Sequence, residues 1–413
     1  MSPRSPLANA AFRAVWLASV FSFIGTWVQD VGESWTMLSM TPDPRFVAML
    51  ATCFLVPTML LTLPAGYLAD RADRRRVLLW SQALSALAAA GPAVAIRLHH
   101  MSPGVLLACS GALGAAVAIG SPAWTTLVPE LLPRERTAET VTLGSIAFNI
   151  ARVTGPALGG VLLAMAGAEV TFIVNAVSFL AVFWVLRQYE EVKVASALPR
   201  EHAAMSSSLV QAFAEPFYEA WRTPELRGAF VSSAVFGTSA TLIMAILPAF
   251  AKHALGASAS GYGALLSGLG AGAITSGLVL VRVRARLGPR MTVIAGMSLF
   301  GASVLFASRA AHVAGAVPFF LAGGLGWIAC FTTLSATVQL VAREHTKSRV
   351  TALYQLVFYM AGTVGASFGG SIAARFGERT AVAVGGVGCV CAALVAVRAL
   401  SIGAHVLAPE PAE

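Results

Sequence analysis

The stretch Gly66-Tyr67-Leu68-Ala69-Asp70-Arg71-Ala72-Asp73-Arg74-Arg75-Arg76-Val77-Leu78 places six charges in seven positions, 70–76. The sequence on either side carries none: 47–69 and 77–96 are uninterrupted apolar runs. A bilayer core about 30 Å thick is crossed by roughly 20 apolar residues of helix. Each run is long enough for one crossing, and the charges mark the turn at the water surface. Backbone groups in lipid must be satisfied within their own segment, so the runs are predicted to be helices.

The whole chain repeats this contrast. Of 413 residues 57% are apolar and 11% charged, against about 25% charged in an ordinary soluble domain. Nineteen acids and 28 bases cannot coat a water-soluble body of this size. A soluble enzyme, a disordered regulator and a secreted disulfide scaffold are therefore excluded as classes. The 38 glycines and 20 prolines fit membrane helices, where both are better tolerated. All five cysteines fall in apolar runs without metal-ligand spacing and read as small buried residues.

Twelve apolar runs are long enough to span, at about 14–38, 47–69, 77–97, 103–128, 138–166, 169–187, 228–251, 259–281, 290–308, 313–340, 349–374 and 379–400. The first carries Asp30 and Glu33 and lacks a small-residue cleavage site, so it is expected to remain as a helix. With the N-terminus inside, 21 of the 28 bases fall on the inner side and six on the outer, leaving Arg152 within a span. This bias predicts both termini in the cytoplasm. Bases scattered over alternate loops share no face, so no nucleic-acid partner is expected; the partners are the lipid bilayer and a small molecule.

The longest interruption, about 188–227, divides the spans six and six. Domains are expected at 1–188, a cytoplasmic linker at 189–227, a second bundle at 228–401 and a tail at 402–413. Leu209, Phe213, Phe217 and Trp221 recur every four residues in the linker, an apolar stripe on a short interfacial helix. The halves echo one another. A shift of 210 carries Gly155, Gly159 and Gly160 onto Gly365, Gly369 and Gly370, and Leu143 onto Leu353; Arg134-Glu135 meets Arg343-Glu344 at 209. Duplicated bundles of this kind place a binding site near the midplane.

The 66–78 stretch resembles the signature loop between helices two and three of the major facilitator superfamily, G-x-L-A-D-R-x-G-R-R-x-x-L, with Asp73 where the pattern has Gly. The resemblance implies a conformational gate made by Gly66, Asp70, Arg71, Arg74 and Arg75. Gly66 would allow close helix approach, and ion pairs would hold one conformer and release it in the other. Similarly, Ala151-Arg152-Val153-Thr154-Gly155-Pro156-Ala157-Leu158-Gly159-Gly160 resembles the antiporter motif G-x-x-x-G-P-x-x-G-G of exporters in that superfamily, with Ala151 replacing the first Gly. Gly155, Pro156, Gly159 and Gly160 form a small-residue seam in either case. Phe12-Arg13-Ala14-Val15-Trp16, Ser121-Pro122-Ala123-Trp124, Ser145-Ile146-Ala147-Phe148-Asn149 and Phe172-Ile173-Val174-Asn175 are similar to the bacterial branch of enterobactin exporters and macrolide-efflux-like proteins. The second half shares mainly topology, and its loop 277–290 keeps four arginines without the matching Asp. The resemblance implies an all-α membrane protein, two six-helix bundles around a central cavity, and no enzymatic chemistry.

Charges at membrane depth are costly and mark candidate function. Arg152, one turn before Gly155, can hold an anionic substrate group or pair with an acid of the first helix. Asp30 and Glu33 share one helix face. Two carboxylates crowded in low dielectric cannot both stay charged cheaply, so at least one is a candidate proton carrier. They lie about 24 and 29 Å along the helix from Ala14, in the outer half, where a solvated vestibule is the alternative. Gln29, Asn149, Asn175, Trp124, Trp327, Gln339, Tyr354 and Gln355 are further candidates for substrate contact or for packing. Gly268-Leu269-Gly270-Ala271-Gly272 and Gly385-Gly386-Val387-Gly388 follow no strand, and no Gly-Lys-Ser/Thr phosphate loop is present. His99-His100 lacks ligand spacing. No metal or cofactor is expected, with a proton gradient as the energy source. The reading is proton-coupled efflux of a small amphipathic compound, drug or siderophore, from a bacterial cytoplasmic membrane by a monomer of unassigned oligomeric preference. The alternatives are an importer or lipid flippase of the same fold, or a receptor or scaffold that does not transport.

Overall fold

The first four helices begin where the sequence supplies a cap. Asn9 opens α1 (Ala10–Met40), its side chain accepting the Phe12 N–H at 2.9 Å. Asp43 and Ser102 do the same for α2 (Pro44–Arg71) and α4 (Pro103–Leu127), each with a proline at the first helical position. Asp73 caps α3 (Arg74–Arg97) by accepting the N–H groups of Arg75 and Arg76. Such side chains satisfy donors that a helix start leaves without partners. In the α1–α2 turn the Arg45 side chain and backbone hydrogen-bond to Asp43 and hold its carboxyl below the usual carboxylate range.

The computed structural model describes residues 6–133, 136–189, 209–343 and 346–400. The side chains of residues 63, 67, 69–71, 138, 209–214 and 348 fall outside that description. The helices continue as α5 (Thr137–Ala166), α6 (Ala168–Gln188), α7 (Leu209–Arg222), α8 (Pro224–Ala249), α9 (Ala259–Ala307), α10 (Val313–Val341), α11 (Lys347–Phe376) and α12 (Glu378–Ala399). There is no strand among the described residues. Eleven helices are long and apolar enough to cross a membrane. One of them, α9, holds two of the expected spans: its 49 residues break at Gly288, whose φ of 75° is non-helical. At 1.5 Å per residue the unbroken length would be more than twice a bilayer core. The protein is thus an all-α, multi-pass membrane protein.

The chain forms two compact units, residues 1–200 with 257–267, and 201–256 with 268–413. The chain therefore passes from one unit to the other inside α9. In the first unit α1 packs on α5 and α6, α3 on α4 and α6, and α2 on α4. Phe12, Leu78, Leu127 and Leu186 close the end of this unit nearest the N-terminus, with Trp16 and Trp124 against them. In the second, α8 packs on α11 and α12.

Glycine seams make these contacts. Hydrocarbon tails give helices no hydrophobic reason to associate, so close van der Waals approach takes over. A Cβ on Gly155 would lie 2.5 Å from Trp27 Cβ, and one on Gly159 3.0 Å from Val28 Cα, both on α1. In the second unit Gly365 and Gly369 face α8 in the same way, 2.1 Å from the Thr238 oxygen and 2.7 Å from the Leu242 oxygen. The 210-residue echo is therefore a repeated packing solution. It extends to the turns after α5 and α11, where Gly167 and Gly377 take φ of 81° and 85°, a region that side chains with a Cβ rarely enter.

Candidate functional site

The polar residues of α1 gather on the side that meets α6 and α4. Gln29 Nε2 donates to Glu33 Oε1 at 2.7 Å, and Asn175 Nδ2 on α6 donates to Gln29 Oε1 at 2.7 Å. Ser178, one turn along α6, donates to the Asn175 carbonyl at 2.7 Å and reaches Asn175 Oδ1 at 3.1 Å. On α4 Ser110 stands near Glu33, while its hydroxyl donates to the Leu50 carbonyl at 3.4 Å. The chain runs Ser178, Asn175, Gln29, Glu33, and each member is at most 8% exposed. Gly25 makes room for it, since a Cβ there would lie 2.9 Å from Asn175 Oδ1.

Magnitudes say what this carboxylate can do. Removing an ionised carboxylate from water costs several kcal/mol in a real protein. Each hydrogen bond to a charged group returns about 1.5–3 kcal/mol. One neutral donor does not exceed the penalty, and no Lys or Arg pairs with Glu33 among the described residues. A buried acid with a fixed cation is a structural pair; one held only by neutral donors can also shed its charge by taking a proton.

Asp30 is exposed, unlike Glu33. Beside it stands Tyr262, from the first turns of α9, which is 2% exposed and lies near Ser34. Those turns are seated on α5: a Cβ on Gly160 would be 2.8 Å from the Ala259 oxygen, and one on Gly263 2.4 Å from the Pro156 oxygen. Pro156, Gly160 and the carboxylate region thus meet the same short segment of α9. Arg152 is 9% exposed within α5.

Other expected residues lie elsewhere. Asn149 turns back and donates to the Ser145 carbonyl of its own helix at 2.8 Å. Trp124 packs on the apolar cluster of Phe12 and Leu127. Gln355 is exposed on α11, and the Trp327 ring packs in the core against Phe236 and Phe300. Ser110, Ser178 and Tyr262 carry no signal in the sequence, because a lone hydroxyl in an apolar run is common and mostly bonds its own helix.

At the 66–78 turn, Arg74 and Glu130 form an ion pair at 2.5 Å, and Arg75 donates to the carbonyls of Leu186 and Arg187 at 2.8 Å. Asp70 and Arg71 occupy the last turn of α2, with side chains outside the described residues. Gly66 corrects an expectation: a Cβ there would meet nothing within 4 Å, so no close helix approach explains it. Asp73, the departure from the common pattern, is the cap of α3. The matching pair Arg134-Glu135 and Glu344 fall outside the described residues, as do 190–208 and the tail 401–413. In the second half Arg290 donates to the Val397 carbonyl at the end of α12, the counterpart of Arg75 at the end of α6.

Comparison with known proteins bears on the family and the fold. A family described as transmembrane secretion effector matches residues 1–406. The multidrug efflux pump Tap of Mycobacterium tuberculosis is 24% identical over 95% of this chain and 94% of its own. The enterobactin exporter EntS of Salmonella typhimurium is 25% identical over 94% and 91% respectively. Among solved structures, a bacterial homologue of the iron transporter ferroportin in an inward-facing state superposes with a TM-score of 0.74 at 17% identity, covering 97% of this chain and 100% of that one.

Proposed function

Because the chain belongs to the transmembrane secretion effectors of the major facilitator superfamily, and so is a transporter and not an enzyme, we propose that it exports a small amphipathic compound in exchange for protons. The observation that carries the proton part is Glu33: an acid 8% exposed, at membrane depth, bonded at 2.7 Å to a neutral amide. Asp30, three residues earlier and exposed, is the second carrier, so that a proton reaching Asp30 can pass on to Glu33. Arg152 serves the anionic part of a substrate. Export of a drug or a siderophore is supported by the two full-length relatives, one a multidrug efflux pump and one an enterobactin exporter.

The membrane is the bacterial cytoplasmic membrane, with both termini inside, a reading supported by 21 inner against six outer bases. The protein works as a monomer, driven by the proton gradient and without a bound cofactor. Export predicts lower cellular accumulation of a dye or drug on expression, restored by an uncoupler. Higher accumulation would mean import, and no change across a broad compound panel would mean a receptor or scaffold. Asp30→Asn and Glu33→Gln together test the coupling: unchanged drug-for-proton exchange in both variants at several pH values removes them from it.

A further inference from the structure

The direction of the buried amide chain decides more than the burial of Glu33. A primary amide donates from one end and accepts at the other. Asn175 presents its NH2 group to Gln29, so Gln29 must turn its oxygen toward α6 and its NH2 toward Glu33, as the two 2.7 Å bonds show. Reversing Gln29 alone would set NH2 against NH2 at one end and oxygen against carboxyl oxygen at the other. Both bonds would be lost in a site where Gln29 is 2% exposed and Asn175 fully buried. Asn175 is itself held by Ser178 and by the wall of α1 at Gly25.

The groups around Glu33 leave the amide as its fixed neighbour. Asp30 lies on the same helix, and Cys109 and Ser110 face it from α4. Tyr262 stands beside Asp30 and Ser34 at the start of α9. On α5, which also packs on α1, the charged residue within the span is Arg152. From α6 the polar contact is Asn175, through Gln29.

We propose that Asn175 is a positioning residue for proton exchange at Glu33: acting through Gln29, it holds Oε1 as a hydrogen-bond acceptor and leaves Oε2 as the oxygen that gains and loses the proton. In uptake, an Oε2 electron pair forms a new O–H bond to a proton delivered from water, and the charge of the group goes from −1 to 0. In release that bond breaks, the pair returns to Oε2 and the proton leaves to water. Asn175 and Gln29 stay neutral throughout. Since Gln29 is anchored on α6, the Glu33 carboxyl is held in orientation relative to α6 and does not turn freely about its own Cγ–Cδ bond.

The proposal rests on Glu33 as a proton carrier, and its test separates the two. Full-length protein is reconstituted in phosphatidylethanolamine and phosphatidylglycerol vesicles, and infrared pH-difference spectra are recorded without substrate. The carboxyl band lost in Glu33→Gln belongs to Glu33. In Asn175→Leu, which is uncharged and close in volume, Gln29 loses its anchor and the carboxylate a steadily aimed donor. The midpoint of that band is expected to rise by about one pH unit, tenfold in proton occupancy. Ser178→Ala, which leaves the Asn175 donor in place, is expected to move it by less than half as much. Asn175→Ser, too short to reach Gln29, repeats the measurement if the leucine variant does not fold. An unmoved midpoint in a folded Asn175 variant overturns the positioning role while leaving Glu33 as a carrier. No band lost in Glu33→Gln overturns the carrier itself.

Discussion

Arg74 at the start of α3 and Glu130 in the turn after α4 lie 2.5 Å apart as an ion pair, with their side chains 12% and 33% exposed. Partial burial makes this pair more than a solvent-screened surface contact, while removing one partner strands the other. Glu130→Gln is expected to lower the thermal midpoint by a few degrees, corresponding to about 1 kcal/mol. Transport should fall more than stability if the pair also stabilises one conformer. Equal losses in Arg74→Ala, Glu130→Gln and the double variant are the sign of a coupled pair, and additive losses would show that the two act separately.

Asp73 is expected to behave as a helix cap. Asp73→Ala removes the acceptor for two backbone N–H groups and should cost about 1 kcal/mol, whereas Asp73→Asn should be near neutral. Asp73→Gly, which restores the common superfamily residue, should cost only a few tenths of a kcal/mol more than Asn. Thermal unfolding in detergent orders the three, and alanine above glycine in stability would contradict the capping role.

Gly66 and Gly159 should respond oppositely to a methyl group. Gly66→Ala meets open space and gains helix propensity of about 0.5–1 kcal/mol, so stability is held or raised. Gly159→Ala presses on the backbone of Val28 and should lower stability by about 1–3 kcal/mol. If Gly66→Ala keeps its stability but loses transport, the glycine is needed in a conformer other than this one.

Glu219 on α7 is 7% exposed and accepts the Arg343 N–H at 2.9 Å and the Thr346 hydroxyl, while Glu215 pairs with Arg349 at 2.9 Å. The opposite face presents Phe217 and Trp221, stacked and each 59% exposed. Glu219→Ala leaves the Arg343 N–H without its acceptor and the Thr346 hydroxyl with the Arg343 carbonyl at 3.1 Å, a loss of about 1–3 kcal/mol. Faster cleavage of the linker by a protease added to inside-out vesicles is the expected readout. Glu219→Gln, which keeps an acceptor oxygen, should be cleaved at a rate nearer the native one.

Asp43 gives a pH signature outside the membrane. Arg45 holds its folded-state carboxyl below the unfolded value, so its contribution is present above the unfolded pKa of about 3.9 and is lost as pH falls through the folded one. Asp43→Asn should therefore narrow the stability difference between pH 6 and pH 3, and an unchanged difference would show that Arg45 does not select the charged form.

How far the sequence reaches is visible in particular residues. The six charges at 70–76 between two charge-free runs identify spans and a turn because lipid exclusion acts on composition and length alone. The same economy makes Gly155, Gly159, Gly365 and Gly369 legible: only glycine allows the approach, and its spacing survives in both halves. Asp73 stands out in the pattern only as a departure from Gly, since its role as a cap depends on which backbone donors it faces. Gly66 is likewise given a packing role that its open surroundings do not support.

What the sequence determined by itself is the solvent, the number of crossings and the acids to consider, because each follows from where charge is affordable. Which polar residues belong together was decided only by the tertiary structure. Gln29 and Asn175 are 146 positions apart and equally ordinary as amides in apolar runs. Asn149 bonds its own backbone while Asn175 reaches across to α1, a difference no local pattern encodes. A hydrogen bond acts over about 3 Å, so its partner is chosen by helix packing, and at Glu33 that choice sets a neutral amide against a buried carboxyl group.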